Sequence, residues 1–196
     1  MKTDWLKITL IFLLLFTSCR RSDSPRSGGL SVLSSDQTAE AVAKIEEANN
    51  DLKKIKKIYK ESEEHVAGLK TAIENKEVDK VKKSAGELVI QINEGMNVGT
   101  NVISKIQEAR EMNINETYKN YLDLKEQALT KQLEAFQIRF EQVKYLRDEF
   151  QVSNTQEIEK AKAVLKERDE SFKKKMEAAR EYSRDANLLA KESMKK

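Results

Sequence analysis

The sequence predicts an all-α protein, an elongated antiparallel four-helix bundle or a set of coiled-coil hairpins made of long helices. Three observations predict it. The chain of 196 residues is 35% charged and 39% apolar with a single proline, the composition of long amphipathic helices. Beyond residue 36 the apolar residues fall on seven-residue grids that persist for several repeats, the mark of helices packed along their length. The grids break only at short polar stretches, around Asn75-Lys76-Glu77, at Asn113 and Asn115, and at Ser153 and Asn154, which suits helices that reverse and pack side by side.

Residues 1–18 read as an export signal, with Lys2 and Lys7 as a basic start, Ile8 to Phe16 as an apolar core, and Thr17 and Ser18 as a small-residue cleavage region. As a helix, that core reaches only about 14 Å, against a hydrocarbon thickness of about 30 Å. Cys19 follows at once and is the only cysteine, so a disulfide within one chain is excluded. In an ordinary secretory leader, Cys19 is an incidental residue just past the cut.

Leu15-Phe16-Thr17-Ser18-Cys19 resembles the bacterial lipobox, with Phe16 where leucine is usual, and this looser form is similar to that of spirochaetal helical surface lipoproteins. The resemblance covers about twenty residues of the chain. It implies that Cys19 is the lipid-attachment residue, acylated through its thiol, and that the mature protein is held at a membrane, most simply the outer membrane, in a periplasmic or surface-exposed position. Several acyl chains hold a protein far more firmly than one, whose binding is marginal and reversible.

Residues 19–35 then form the acylated cysteine and a tether. Arg20 to Ser35 hold Pro25, Gly28, Gly29 and six serines, a composition that packs poorly and spans about 20 to 24 Å on average. Residues 36–196 form the helical domain, long enough for a real core. Removing residues 1–18 takes away Lys2, Asp4 and Lys7, a net +1, so a charge of +3 falls to +2. That near-balance implies no nucleic-acid partner.

The first helix is expected over about 37–74, with Asp36 as N-cap. Its core rows are Ile45, Leu52, Tyr59, Val66 and Ile73, and Ala41, Ala48, Ile55 and Leu69, broken only by Ser62. After the slip at Asn75-Lys76-Glu77, the second helix carries Val78, Ala85, Ile92, Gly99 and Ile106 on one row and Val81, Leu88, Gly95, Val102 and Ala109 on the other. Its centre, INEGMNVGTN, puts Gly95 and Gly99 at core positions and repeats Asn93, Asn97 and Asn101 at four-residue spacing. These five residues are the candidate ligand or hinge region. The simpler reading is a close helix approach at the glycines beside a solvated asparagine face.

The third helix, about 116–151, repeats Leu122, Leu129, Phe136, Val143 and Phe150, flanked by Leu133 and Phe140. Phe136, Phe140 and Phe150 are expected to fill the core. Ser153 with Gln156, and Asn154 with Glu157, resemble capping boxes. A fourth helix follows, with Ile158, Leu165, Phe172, Ala179 and Ala186 on one row and Ala161, Tyr182 and Leu189 beside it.

Chemistry-bearing patterns are sparse. His65 is the only histidine, which rules out a two-imidazole metal site within one chain, and it follows Glu61 at a spacing that differs from the Glu-x-x-His of di-iron bundles. No cofactor or metal is therefore expected. Lys53, Lys54, Lys56, Lys57 and Lys60, and Lys173 to Lys175, are read as solvated faces because acidic residues intersperse them. The sequence leads us to expect a lipid-anchored, non-enzymatic envelope or surface protein. It would meet a macromolecular partner, an envelope protein or a host ligand, through helical faces. The alternatives are a periplasm-facing small-ligand or sensory bundle, or a self-associating structural rod, and a homo-oligomer is compatible with each.

Overall fold

The computed structural model describes residues 37–151 and 155–193. They form four long helices: α1 (Thr38–Glu74), α2 (Val78–Arg110), α3 (Glu116–Glu149) and α4 (Thr155–Ser193). Each rises about 1.5 Å per residue, so the rods are about 50 to 58 Å long. The protein is an all-α four-helix bundle. Successive helices run antiparallel, as cross-links at matching heights show: Lys44 meets Glu108 at 2.6 Å between α1 and α2, and Arg110 meets Asp123 and Glu126, each at 2.6 Å, between α2 and α3. Close backbone approach runs along α1/α2, α2/α3 and α3/α4, whereas α1 and α4 come close at only a few points. Long side chains span that wider seam, as where Lys70 Nζ reaches Asp169 Oδ2 at 2.6 Å.

The core follows the seven-residue rows closely in α2. Every row residue from Val81 to Ala109 is buried, and only Val78, at the start, is half-exposed. In α1 the rows hold except at Leu52 and Tyr59, which are half-buried against the core. Ser62, the one polar break, stays in the core because its hydroxyl donates to the Tyr59 carbonyl at 2.8 Å, within its own helix. In α4 the main row is buried throughout, but its companion drifts from Ala161 to Met176 and Ser183, leaving Tyr182 and Leu189 half-exposed. A straight helix turns about 20° per heptad away from a strict seven-residue row, and over 39 residues that drift moves the buried stripe onto new positions.

The turns explain the breaks. After α1, the Glu77 N–H donates to the Ala72 carbonyl at 2.9 Å and the Lys76 N–H to Ile73 at 3.1 Å, the paired bonds of a Schellman ending. That ending needs a left-handed residue, and Lys76 takes it with φ 62°, a conformation that costs a side-chain-bearing residue about 1 kcal/mol. Lys76→Gly is therefore expected to stabilise the protein by about 1 kcal/mol, read as a rise in the urea midpoint with an unchanged slope. A variant that is no more stable would show that the lysine has contacts outweighing the backbone relief. At the next turn, Asn115 caps α3, its side-chain oxygen accepting from the Tyr118 N–H at 2.8 Å. Asn113 ties that turn to the start of α1: its N–H donates to Gln37 Oε1 at 2.9 Å, and its carbonyl accepts from the Gln37 N–H at 3.0 Å. Asp36 and the Ser153 and Asn154 capping positions lie outside the described residues.

Candidate functional site

The asparagine and glycine segment of α2 divides by face. Asn93, Asn97 and Asn101 are exposed, while Gly95 and Gly99 are buried, and the helix runs unbroken through them. The glycines mark close packing against other helices. A Cβ at Gly95 would lie 3.3 Å from both Ile58 and Phe136, and one at Gly99 would lie 2.4 Å from the Leu133 side chain. Gly99→Leu is thus expected to cost about 2 kcal/mol through overpacking. Gly68, an exposed helical glycine with open space around it, supplies the control, and Gly68→Ala should gain about 1 kcal/mol. Thermal unfolding of the two variants distinguishes packing from propensity: equal shifts of one sign would sink the close-packing account.

Beside the glycines, Tyr59 of α1 stacks between Phe136 of α3, at 6.2 Å and 9°, and Phe172 of α4, at 6.3 Å and 5°. Burial, with Glu63 nearby, pushes the Tyr59 hydroxyl up to about 12. One turn along, the aromatic layer gives way to a charged one. Arg139 of α3, only 6% exposed, lays its guanidinium over the Phe172 ring at 4.3 Å and donates to Asp169 of α4 and to the Gln142 side chain. Gln142, equally enclosed, donates to the Leu165 carbonyl at 3.0 Å and to Asp169 at 3.2 Å. From α1, Glu63 approaches Arg139 at 3.4 Å and Lys70 closes on Asp169. Burial alone would lift the Asp169 carboxyl. The hydrogen bond from Lys70 and the charge and hydrogen bond of Arg139 outweigh it and hold the group below its ordinary value.

Two cations and two carboxylates thus balance within the bundle, and the cluster ties α1, α3 and α4 together across the wide α1/α4 seam. Breaking such a cluster is costly while replacing it whole is often neutral, so its main effect is to fix which residues face each other.

Towards the other end of α3, Lys125 is also only 6% exposed. Its ammonium donates to the Asn187 side chain at 3.2 Å and sits 5.2 Å from the centre of the Tyr121 ring. Burial drives its pKa down to about 8, because an enclosed charged amine loses hydration that its protein contacts only partly replace.

Lys125, Gln132, Arg139 and Leu146 are spaced by seven and all buried, so they form the second core row of α3. The rows counted from apolar residues place Leu133 and Phe140 there, and both are half-buried at its edge; Phe136 and Phe150 are buried as expected. The polar row escapes a search for apolar periodicity. The spacing itself, read regardless of polarity from Leu146 backwards, is the signal that finds it.

The other candidates remain apart. His65 and Glu61 are half-exposed, and Glu61 lies 3.8 Å from Lys57. In the basic runs, Lys53 and Lys54 donate to Asn50 and Asp51, and Lys175 donates to Glu134. Among the described residues no group of three or more histidine, cysteine or acidic side chains is placed to hold a metal ion, and no helix is long and apolar enough to cross a membrane. Cys19, the tether and the export segment lie outside the described residues.

The class these features define is a four-helix bundle with a tightly packed apolar interior, pinned by internal ion pairs. Comparison with protein-family models, curated proteins and solved structures finds no match to the chain.

Proposed function

We propose that the mature chain is a lipid-anchored, non-enzymatic protein of the cell envelope or surface that presents its helical bundle to a macromolecular partner. The observation that carries this reading is the LLLFTSCRRSD segment, an apolar run too short to span a bilayer followed by the one thiol able to form a thioether. The serines and glycines of Arg20 to Ser35 have the composition of a tether, and Arg20, Arg21 and Arg26 would be available to anionic lipid. The bundle supports the reading in one respect: the polar groups of the α1/α3/α4 cluster bond to one another. In this reading recognition occurs on the outer helical faces, which carry most of the charged side chains.

The test is metabolic labelling with palmitate, followed by detergent phase partition. The wild-type protein should take up label and enter the detergent phase, whereas Cys19→Ala should do neither. An unlabelled wild type, or an alanine variant that still partitions into detergent, would remove the anchor. Protease treatment of intact cells, with a periplasmic protein as control, then separates a surface partner from an envelope one.

A further inference from the structure

We propose that two copies of this chain associate back to back through the outward face of α2, antiparallel about a two-fold axis at Asn97. From Leu88 to Ser104 the only ionisable residue is Glu94, where the chain's average of 35% charged would place about six. This stretch therefore stands apart from the outer faces of the other helices, which are covered by lysine and glutamate. Loss of charge at the centre of a patch is the compositional mark of protein interfaces. Ile90, near its start, is the most exposed large apolar residue among those described, at 70%.

The pattern also has the symmetry that a two-fold contact requires. Lys83, Ile90, Asn97, Ser104 and Glu111 recur every seven residues, and all five are exposed. A seven-residue column stays in contact with a partner helix when the two cross at about 20°. With the axis at Asn97, each residue meets the one equally far beyond it: Asn97 meets its own copy, Ile90 meets Ser104, and Lys83 meets Glu111. In a two-fold interface every contact occurs twice, so the pairing supplies two opposite-charge bridges at its ends and none of like sign along the column. An amide both donates and accepts, so asparagine can face itself, which lysine or glutamate cannot do without repulsion. On the flank, Asn93 meets Asn101 by the same symmetry.

Neither Lys83 nor Glu111 forms a salt bridge among the described residues, which leaves both long side chains available to a second copy. A single helix face is smaller than the roughly 1,200 Å² of a stable complex. The association is accordingly weak and depends on concentration. It does not depend on the lipid anchor.

At an interaxial distance of about 10 Å, and with each Cα about 2.3 Å off its axis, the two residues at the dyad stand about 5 Å apart, within disulfide reach. The test is oxidative cross-linking of the full chain in the cells that produce it, with Asn97→Cys compared against Glu181→Cys on the exposed face of α4 and against the unsubstituted chain, which reports any link through Cys19. Asn97→Cys should form a disulfide-linked dimer at least several-fold faster than either control. Adding Lys83→Glu should slow it several-fold, and adding Glu111→Lys to that variant should restore it, which also shows that the slowed variant is folded. Cross-linking at Asn97 no faster than at Glu181 would overturn the proposal, as would cross-linking indifferent to Lys83→Glu.

Discussion

Asp169→Ala is expected to destabilise the folded chain by about 3 kcal/mol, because it leaves the Arg139 guanidinium enclosed with only Glu63, at 3.4 Å, to balance it. For a chain of this size that corresponds to a fall in melting temperature of about 6 to 12 °C. The loss should also depend on pH in a defined direction. Since the fold holds the Asp169 carboxyl below its ordinary value, its contribution is complete above pH about 4 and disappears as acid protonates the folded state. The gap between wild type and Asp169→Ala should therefore narrow steadily below pH 4. Replacing both members, Arg139→Met with Asp169→Leu, should recover most of the loss, since an apolar pair of similar volume needs no counter-charge. If the single variant loses less than about 1 kcal/mol, or the double variant loses the sum of two large penalties, the cluster does not work as a coupled unit.

Lys125→Met is expected to act in the opposite sense and stabilise the protein by about 3 kcal/mol at pH 7. The lysine is charged in both folded and unfolded chains at that pH, but in the folded chain its pKa is depressed from 10.5 to about 8, and each unit corresponds to about 1.4 kcal/mol against the charged form. Between pH 8 and 10.5 the unfolded chain binds a proton that the folded chain does not, so wild-type stability rises with pH through this window. The methionine variant lacks that rise, and the difference between the two should shrink to about 1 kcal/mol by pH 10. Urea unfolding of both proteins from pH 7 to 10 measures it. A constant difference would assign the effect to packing, and no difference would mean the ammonium is better solvated than its enclosure indicates.

These two residues also show where sequence reading stops. The helix positions, their lengths and most of the buried rows are legible because burial of apolar surface follows a period of about 3.6 residues, and counting apolar residues measures that period directly. The turn at Asn75-Lys76-Glu77 is legible as a slip in register even though no glycine or proline marks it. Its left-handed Lys76 is not, because lysine has no preference that announces the conformation. Lys125, Arg139 and Gln142 are illegible for another reason: a polar side chain on a helix reads as solvent-facing until its partners on other helices are known, and those partners are 23 to 76 residues away in sequence. The segment around Asn97 was visible as unusual, with Gly95 and Gly99 on the inward rows, but which side chains they admit so closely was settled only by how α2 packs on Ile58, Phe136 and Leu133.

The sequence by itself determined the helical class, the number of helices, their breaks and the inward rows of α2, because these follow from local propensity and from the spacing of apolar side chains. Tertiary structure alone decided which polar residues lie inside and that α1 and α4 meet through long side chains across a wider seam. The physical reason is that burying a charge is tolerable only opposite its complement, and that complement lies on another helix, at a height no local pattern encodes.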